Sequence, residues 1–174
     1  MSVQISKAEM EQRVARFKHL TPSKRAFVDT ALPGHERLIF NVIGRGVTED
    51  ASLNPAITDA RDFNLTFVHA EPGKGAALHA HPTVEVFMPL SGRWAVYWGA
   101  QGEQEIVLDQ WDVISVPPGV MRGFRNAGDS AGYLMAILGG TDAGHVAWAK
   151  DVLDRARDTG LALDAEGNLV SARA

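Results

Sequence analysis

Two histidines one residue apart, followed four residues later by a glutamate, are the side chains of this 174-residue sequence most suited to chemistry. They lie in the run Gly73-Lys74-Gly75-Ala76-Ala77-Leu78-His79-Ala80-His81-Pro82-Thr83-Val84-Glu85-Val86-Phe87-Met88-Pro89-Leu90-Ser91-Gly92. On a strand, residues two apart leave the same face, so His79 and His81 point the same way. Pro82-Thr83 reads as a turn that ends the strand. Glu85 opens the next one, with Phe87 and Pro89 on its face, and if the two strands pair Glu85 lands near both imidazoles. Two histidines and one carboxylate on one face form the facial triad of non-haem metal sites, which leaves positions open for substrate and oxygen. The chain has no cysteine, so thiolate ligands are excluded. An imidazole and carboxylate set suits a divalent transition metal such as Fe, Mn, Ni or Zn. The alternative is a polar cluster held only by hydrogen bonds, which is costly to bury unless every member is satisfied.

These residues need a β framework, and the surrounding sequence predicts one. Short β-rich runs broken by Gly, Pro and Asp extend from Leu38 to Gly139: Leu38–Ile43, Asn64–His69, Ala76–Ala80, Val84–Leu90, Trp94–Trp98, Glu105–Leu108, Val113–Val116, Met121–Arg125 and Tyr133–Leu138. Many short strands of this kind predict an all-β sandwich or barrel, with a core from about 36 to 140. Val47 to Arg61 reads as a long surface loop. Ser6-Lys7-Ala8-Glu9 has the form of a capping box, and Met10, Val14, Phe17 and Leu20 follow at helical spacing before Pro22. That predicts an N-terminal helix over about 6–20, its apolar stripe buried on the barrel or on a second copy. Val146, Ala149, Leu153 and Ala156 predict a C-terminal helix over about 142–159, capped by Thr141 or Asp142 and ended by Gly160. The whole of 1–174 reads as one domain. Trp94 and Trp98 share one strand face and Tyr97 takes the other, so only one set lines the interior.

The stretch from Gly73 to Gly92 resembles the first motif of the cupin superfamily, with Gly73, His79, His81, Glu85 and Gly92 in register and no gap. Five fixed positions match by chance on the order of once in ten million starting points at ordinary residue frequencies. The second cupin motif follows as Trp111-Asp112-Val113-Ile114-Ser115-Val116-Pro117-Pro118-Gly119-Val120-Met121-Arg122-Gly123-Phe124-Arg125-Asn126, keeping the Pro-x-Gly turn and the closing Asn. It departs twice: Trp111 stands at a usual Gly, and Arg122 at the usual last histidine ligand. The resemblance covers residues 73–126 and implies a double-stranded β-helix, or jelly-roll, barrel with flanking N- and C-terminal α-helices.

It further implies a mononuclear metal enzyme acting on a small polar or anionic organic molecule, with dioxygenase chemistry leading and isomerase or lyase chemistry also represented among cupins. His79, His81 and Glu85 would hold the metal, His69 would be a further ligand, and Glu85 and Arg122 would act in catalysis. Arg122, Phe87 and Phe124 would contact substrate. Because a guanidinium cannot ligate a metal, Arg122 has three options: to pair with Glu85, to anchor a substrate carboxylate or enolate beside a three-ligand metal, or to turn to the rim. A non-catalytic binding or sensing cupin is the second reading. His19, His35 and His145 read as surface or capping residues.

The net charge of −4 with interspersed signs excludes an electrostatic footprint for nucleic acid, and neither end offers a basic helix-turn-helix. No basic run suits an anionic membrane surface and no apolar run is long enough to span a bilayer. The opening Met1-Ser2-Val3-Gln4-Ile5-Ser6 lacks a secretory pattern. A cytoplasmic protein is therefore expected, and the resemblance adds a homodimer.

Overall fold

Alternation decides which way each strand faces. In the stretch Gly132–Gly139, Leu134, Ala136 and Leu138 are buried while Tyr133, Met135 and Ile137 are half-buried. A period of two with one apolar face is what a strand in a packed sheet requires. The structure, a computed structural model, describes residues 2–59, 61–140 and 144–172. Its principal strands are β1 (Leu38–Ile43), β2 (Phe63–Ala70), β3 (Gly75–Ala80), β4 (Glu85–Pro89), β5 (Trp94–Trp98), β6 (Gln104–Leu108), β7 (Ile114–Val116), β8 (Arg122–Asn126), β9 (Gly132–Gly139) and β10 (Ala147–Trp148). They form two antiparallel five-stranded sheets, ordered β1-β2-β9-β4-β7 and β10-β3-β8-β5-β6. Ile39, Val68, Phe87, Trp94, Val96, Phe124 and Leu134 fill the space between them. The expected all-β jelly roll is the fold observed. Among the described residues, no helix is long and apolar enough to cross a membrane.

Two turns explain motif positions. Gly92, between β4 and β5, has φ +71°, where a side chain is disfavoured. Trp111 has φ +74° and is 62% exposed. The backbone there takes the left-handed conformation that a glycine adopts freely, and a tryptophan holds it at a strain of about 1–2 kcal/mol.

The terminal elements differ from expectation. The capping box forms, with the Ser6 hydroxyl accepting from Glu9 N and the Glu9 carboxylate accepting from Ser6 N, but helix α1 spans only Lys7–Glu11. A separate 3₁₀ turn follows at Phe17–His19. Phe17 lays its ring 5.2 Å from Phe40 and 5.5 Å from Tyr133, on the outer face of the first sheet. Met10, Val14 and Phe17 all stay exposed, contrary to the buried stripe expected, because a helix of little over one turn cannot carry an apolar face onto the barrel. At the other end, Val146 to Ala149 is not helical: Ala147–Trp148 pairs with β3 as an edge strand, and helix α2 spans Lys150–Asp158 from Ala149. Thr141 and Asp142 lie outside the described residues. Gly160 ends α2 with φ +82°. Val152 and Ala156 pack on Val28, Leu32, Ala77 and Leu161, outside the second sheet. The hairpin β11 (Leu161–Leu163) and β12 (Leu169–Ser171) completes the described chain. The segment after β1 is not wholly surface, since Glu49 is buried.

One irregularity positions the site. Between β3 and β8 the register runs Ala76 opposite Phe124 but His79 opposite Arg122, so β3 carries one extra residue. This bulge reverses the alternation, and His79 faces inward together with Ala76 instead of outward with Ala77. The amide of Ala77 at the bulge donates to Asp29 Oδ2 at 2.9 Å. Asp29 lies in a 3₁₀ turn, Val28–Ala31, and is fully buried. Both of its oxygens accept from Arg37, at 2.9 and 3.0 Å, and Arg37 also donates to the carbonyls of His35 and Gly75. Asp29→Ala leaves the Arg37 guanidinium buried without its counter-charge and should lower unfolding stability by about 3–5 kcal/mol in urea titration. A loss under about 1 kcal/mol would show that the pair does not hold this part of the fold.

Glu49 ties the loop to β10. Its two oxygens accept from Trp148 Nε1 and Val28 N, each at 2.6 Å, and burial pushes its carboxyl up to about 7. The folded chain then holds this proton more tightly than the unfolded one, so stability falls as pH rises from about 4.5 to 7. Relative to Glu49→Gln, the wild type should lose about 3 kcal/mol over that window. Parallel stability profiles for the two proteins would refute this.

Candidate functional site

The inward face of β3 and the start of β4 build the polar centre. His79, His81, Glu85 and Arg122 are each at least 95% buried. One ligand atom each from His79, His81 and Glu85 lies within 4.8 Å of the others, and the two imidazole rings are 5.0 Å apart. The strands carrying them do not pair with each other, contrary to the simplest arrangement. His79 belongs to one sheet, His81 directly follows its strand, and Glu85 belongs to the opposite sheet, beside Val116 and Leu138. Glu85 reaches the imidazoles across the barrel interior, because the Pro82-Thr83 turn passes the chain from one sheet to the other. The amide of Gly119 in the Pro-Pro-Gly turn donates to the His81 carbonyl, so the second motif braces the first.

Hydrogen bonding fixes the state of His79. Its Nδ1 lies 2.7 Å from the Ala77 carbonyl, which can only accept, so Nδ1 carries the proton and Nε2 keeps its lone pair. A backbone carbonyl behind a histidine is the usual device for orienting a metal ligand. Trp148 stacks 5.3 Å from the same ring. Burial, reinforced by His81 and Arg122, pushes the His79 imidazole well below its ordinary value. Burial and Arg122 take His81 down to about 3. Both rings are therefore neutral at physiological pH, the form that ligates metal.

Arg122 takes the first of its three options. Its Nε and Nη2 donate to the same oxygen, Glu85 Oε2, at 2.9 and 2.8 Å, and Nη1 donates to the Val120 carbonyl. That oxygen also lies 3.8 Å from His81 Nε2. Burial pushes the Glu85 carboxyl up, and the guanidinium opposes the push. His81 Nδ1 is buried without a hydrogen-bond partner. Two neutral imidazoles, one oriented from behind, together with a carboxylate within ligand reach, fit a divalent transition metal. The competing group is Arg122, which shares Glu85.

A cavity of about 50 Å³ adjoins the three residues, walled by Ile39, Val68, Phe124, Leu138 and Trp148 and by Asn41, Asn64 and Thr66. Phe124 is in this wall. Phe87 is not: it is fully buried beneath, edge-on to Phe124 at 5.2 Å. His69 is not a ligand either. Thr66 and Val68 of β2 face inward, so His69 faces out and stacks on Tyr133 at 4.6 Å. Trp94 and Val96 face the interior and Tyr97 lies outside it, with its hydroxyl on the Ala76 carbonyl. Sequence reasoning missed Asp29, Arg37, Glu49 and Trp148, which depend on distant contacts. It also missed Asn41 and Asn64, whose presence inside β-rich runs at positions alternating with Ile39 and Val68 was a readable signal.

Residues 66–138 match the family model described as Cupin domain. No curated protein matches in sequence. The polyketide cyclase RemF from Streptomyces resistomycificus is similar in fold, with a TM-score of 0.59 at 14% identity over 83% of this chain and 92% of that one. A cupin 2 domain-containing protein from Halorhodospira halophila has a TM-score of 0.52 at 20% identity, over 72% and 78% of the two chains. The DMSP lyase DddQ from Ruegeria pomeroyi has a TM-score of 0.50 at 17% identity over 64% of this chain, which spans 50% of that lyase. These likenesses show a common barrel, and the family model covers the strands that carry the histidines and the glutamate. By that match and that barrel, residues 66–138 form a cupin domain.

Proposed function

We propose that the protein is a metal-dependent cupin enzyme acting on a small polar or anionic organic molecule, with dioxygenase-type chemistry as its leading reaction. The observation that carries this reading is the neutral His79 and His81 pair beside Glu85, with His79 locked in the ligating tautomer. A divalent metal there would polarise substrate or activate dioxygen. His79 and His81 supply lone pairs, and Glu85 supplies the negative charge. Arg122 orients an anionic group of the substrate, and Ile39, Val68, Phe124 and Leu138 keep water from the reacting atoms. The similar structures include a cyclase and a lyase, so isomerase or lyase chemistry on the same residues belongs to this reading. The reading carries with it a cytoplasmic homodimer, for which Met10 and Val14 offer exposed apolar area.

A second reading, a binding or sensing cupin without catalysis, is favoured by the Arg122–Glu85 pair, which already occupies the carboxylate. Elemental analysis of protein purified without added metal separates the two. The enzyme reading expects about one transition-metal ion per chain, and a metal-free protein that also fails to take up zinc would leave the binding module. Arg122→His tests the shared glutamate. It removes a fixed charge and adds a neutral imidazole, so zinc affinity should rise at least about tenfold. Benzoate binding to the zinc-loaded variant should weaken by about 2–3 kcal/mol. Calorimetric titration reads both, and unchanged values for both would remove Arg122 from the site.

A further inference from the structure

The cavity beside the imidazoles has room for an ion and a few light atoms, about 50 Å³. A second space of about 290 Å³ is lined by Arg122 together with residues of β5, of β7 and of the turn after β7. Val96, Trp98, Ile114, Val116 and Val120 give it an apolar wall, in which Arg122 is the one ionisable side chain among the described residues. Trp98 and Arg122 are register partners on β5 and β8. Arg122 is buried, and among the described residues its one ionic partner is Glu85. Glu85 thus lines the histidine cavity, and its partner Arg122 lines the apolar cleft.

Charge on this pair is balanced only while Glu85 belongs to Arg122. A divalent ion held by His79, His81 and Glu85 would place three positive charges around one carboxylate, in surroundings where uncompensated charge is expensive. Relief requires an anion within reach of Arg122, and the adjoining space accepts apolar bodies. We infer that the cleft lined by Arg122 binds a small monocarboxylate with an apolar body, and that metal and carboxylate bind cooperatively because both draw on Glu85. This rests on the metal reading of His79, His81 and Glu85 given above. Metal withdraws the glutamate from Arg122, and the guanidinium turns its freed donors to the incoming carboxylate. The same linkage makes the carboxylate strengthen metal binding by an equal factor.

Calorimetric titration with zinc and benzoate, each alone and in the presence of the other, tests this on the full chain. Benzoate should bind the zinc-loaded protein at least about tenfold more tightly than the zinc-free protein, and benzoate should tighten zinc by the same factor. Benzamide, which has the shape without the charge, should show no such response. Glu85→Gln takes the counter-charge from Arg122 permanently, so without zinc it should bind benzoate about as tightly as the zinc-loaded wild type. Ile114→Trp fills the cleft and should lose benzoate while keeping zinc. Zinc that binds without changing benzoate affinity overturns the coupling and leaves the metal reading intact. Zinc that does not bind at all overturns the metal reading, and the coupling with it. A Glu85→Gln protein with no gain in benzoate affinity removes Arg122 as the anion's partner, and undiminished benzoate binding by folded Ile114→Trp removes the cleft.

Discussion

The hydrogen bond from the Ala77 amide to Asp29 sustains the whole polar centre. A β-strand alternates strictly, so a regular β3 that buried Ala76 in the barrel would turn His79 outward. One extra residue reverses that phase, and an extra residue leaves a backbone donor without its ladder partner. Buried and unpaired, such a donor costs about 1–3 kcal/mol. Asp29 accepts it, and Arg37 neutralises Asp29 in a pair that is almost wholly buried. An ion pair of this kind is not a strong source of stability compared with an apolar substitute. Its contribution here is positional: it holds the bulge that turns an imidazole inward.

The same economy of charge governs the centre itself. Burial makes both imidazoles neutral, so among the described residues the ionic pair there is Glu85 and Arg122. Their opposite charges offset each other where neither meets bulk solvent. The carboxylate oxygen that takes two bonds from Arg122 is also the one nearest His81. A cupin with a histidine at position 122 would have a fourth neutral ligand and no resident cation. With arginine, any metal must share its only anionic ligand, and occupancy depends on what else in the barrel carries negative charge.

Edges explain why the C-terminal segment departs from its periodicity. Val146, Ala149, Leu153 and Ala156 fit one helical face, yet Ala147–Trp148 is extended along β3. The exposed edge of β3 offers unpaired backbone groups, and a strand satisfies them where a helix does not. Trp148 then gains three contacts at once: the His79 ring, the Phe27 ring and the Glu49 carboxylate. Those contacts join segments far apart in sequence and outweigh a local preference worth tenths of a kcal/mol per residue.

The nine β-rich runs between Leu38 and Gly139 were legible because their signals are local: alternation within a strand, and Gly or Pro at the breaks. The motif spacing likewise marked His79, His81, Glu85 and Arg122, since it is confined to a short stretch of chain. Which strands pair was not legible, and Glu85 meets the imidazoles from the opposite sheet. Nor was the bulge, whose extra residue looks like any other in an Ala-Ala-Leu run and is revealed only by Asp29, 48 residues away. His69 was misassigned for the same reason, because a period of two says that faces alternate but not which face is inside, whereas Phe87 faces inward as expected and lies in the core below the cavity. Local propensity and spacing belong to the chain. The choice of face, partner and cavity wall depends on contacts between distant segments, and those exist only once both sheets have closed on each other.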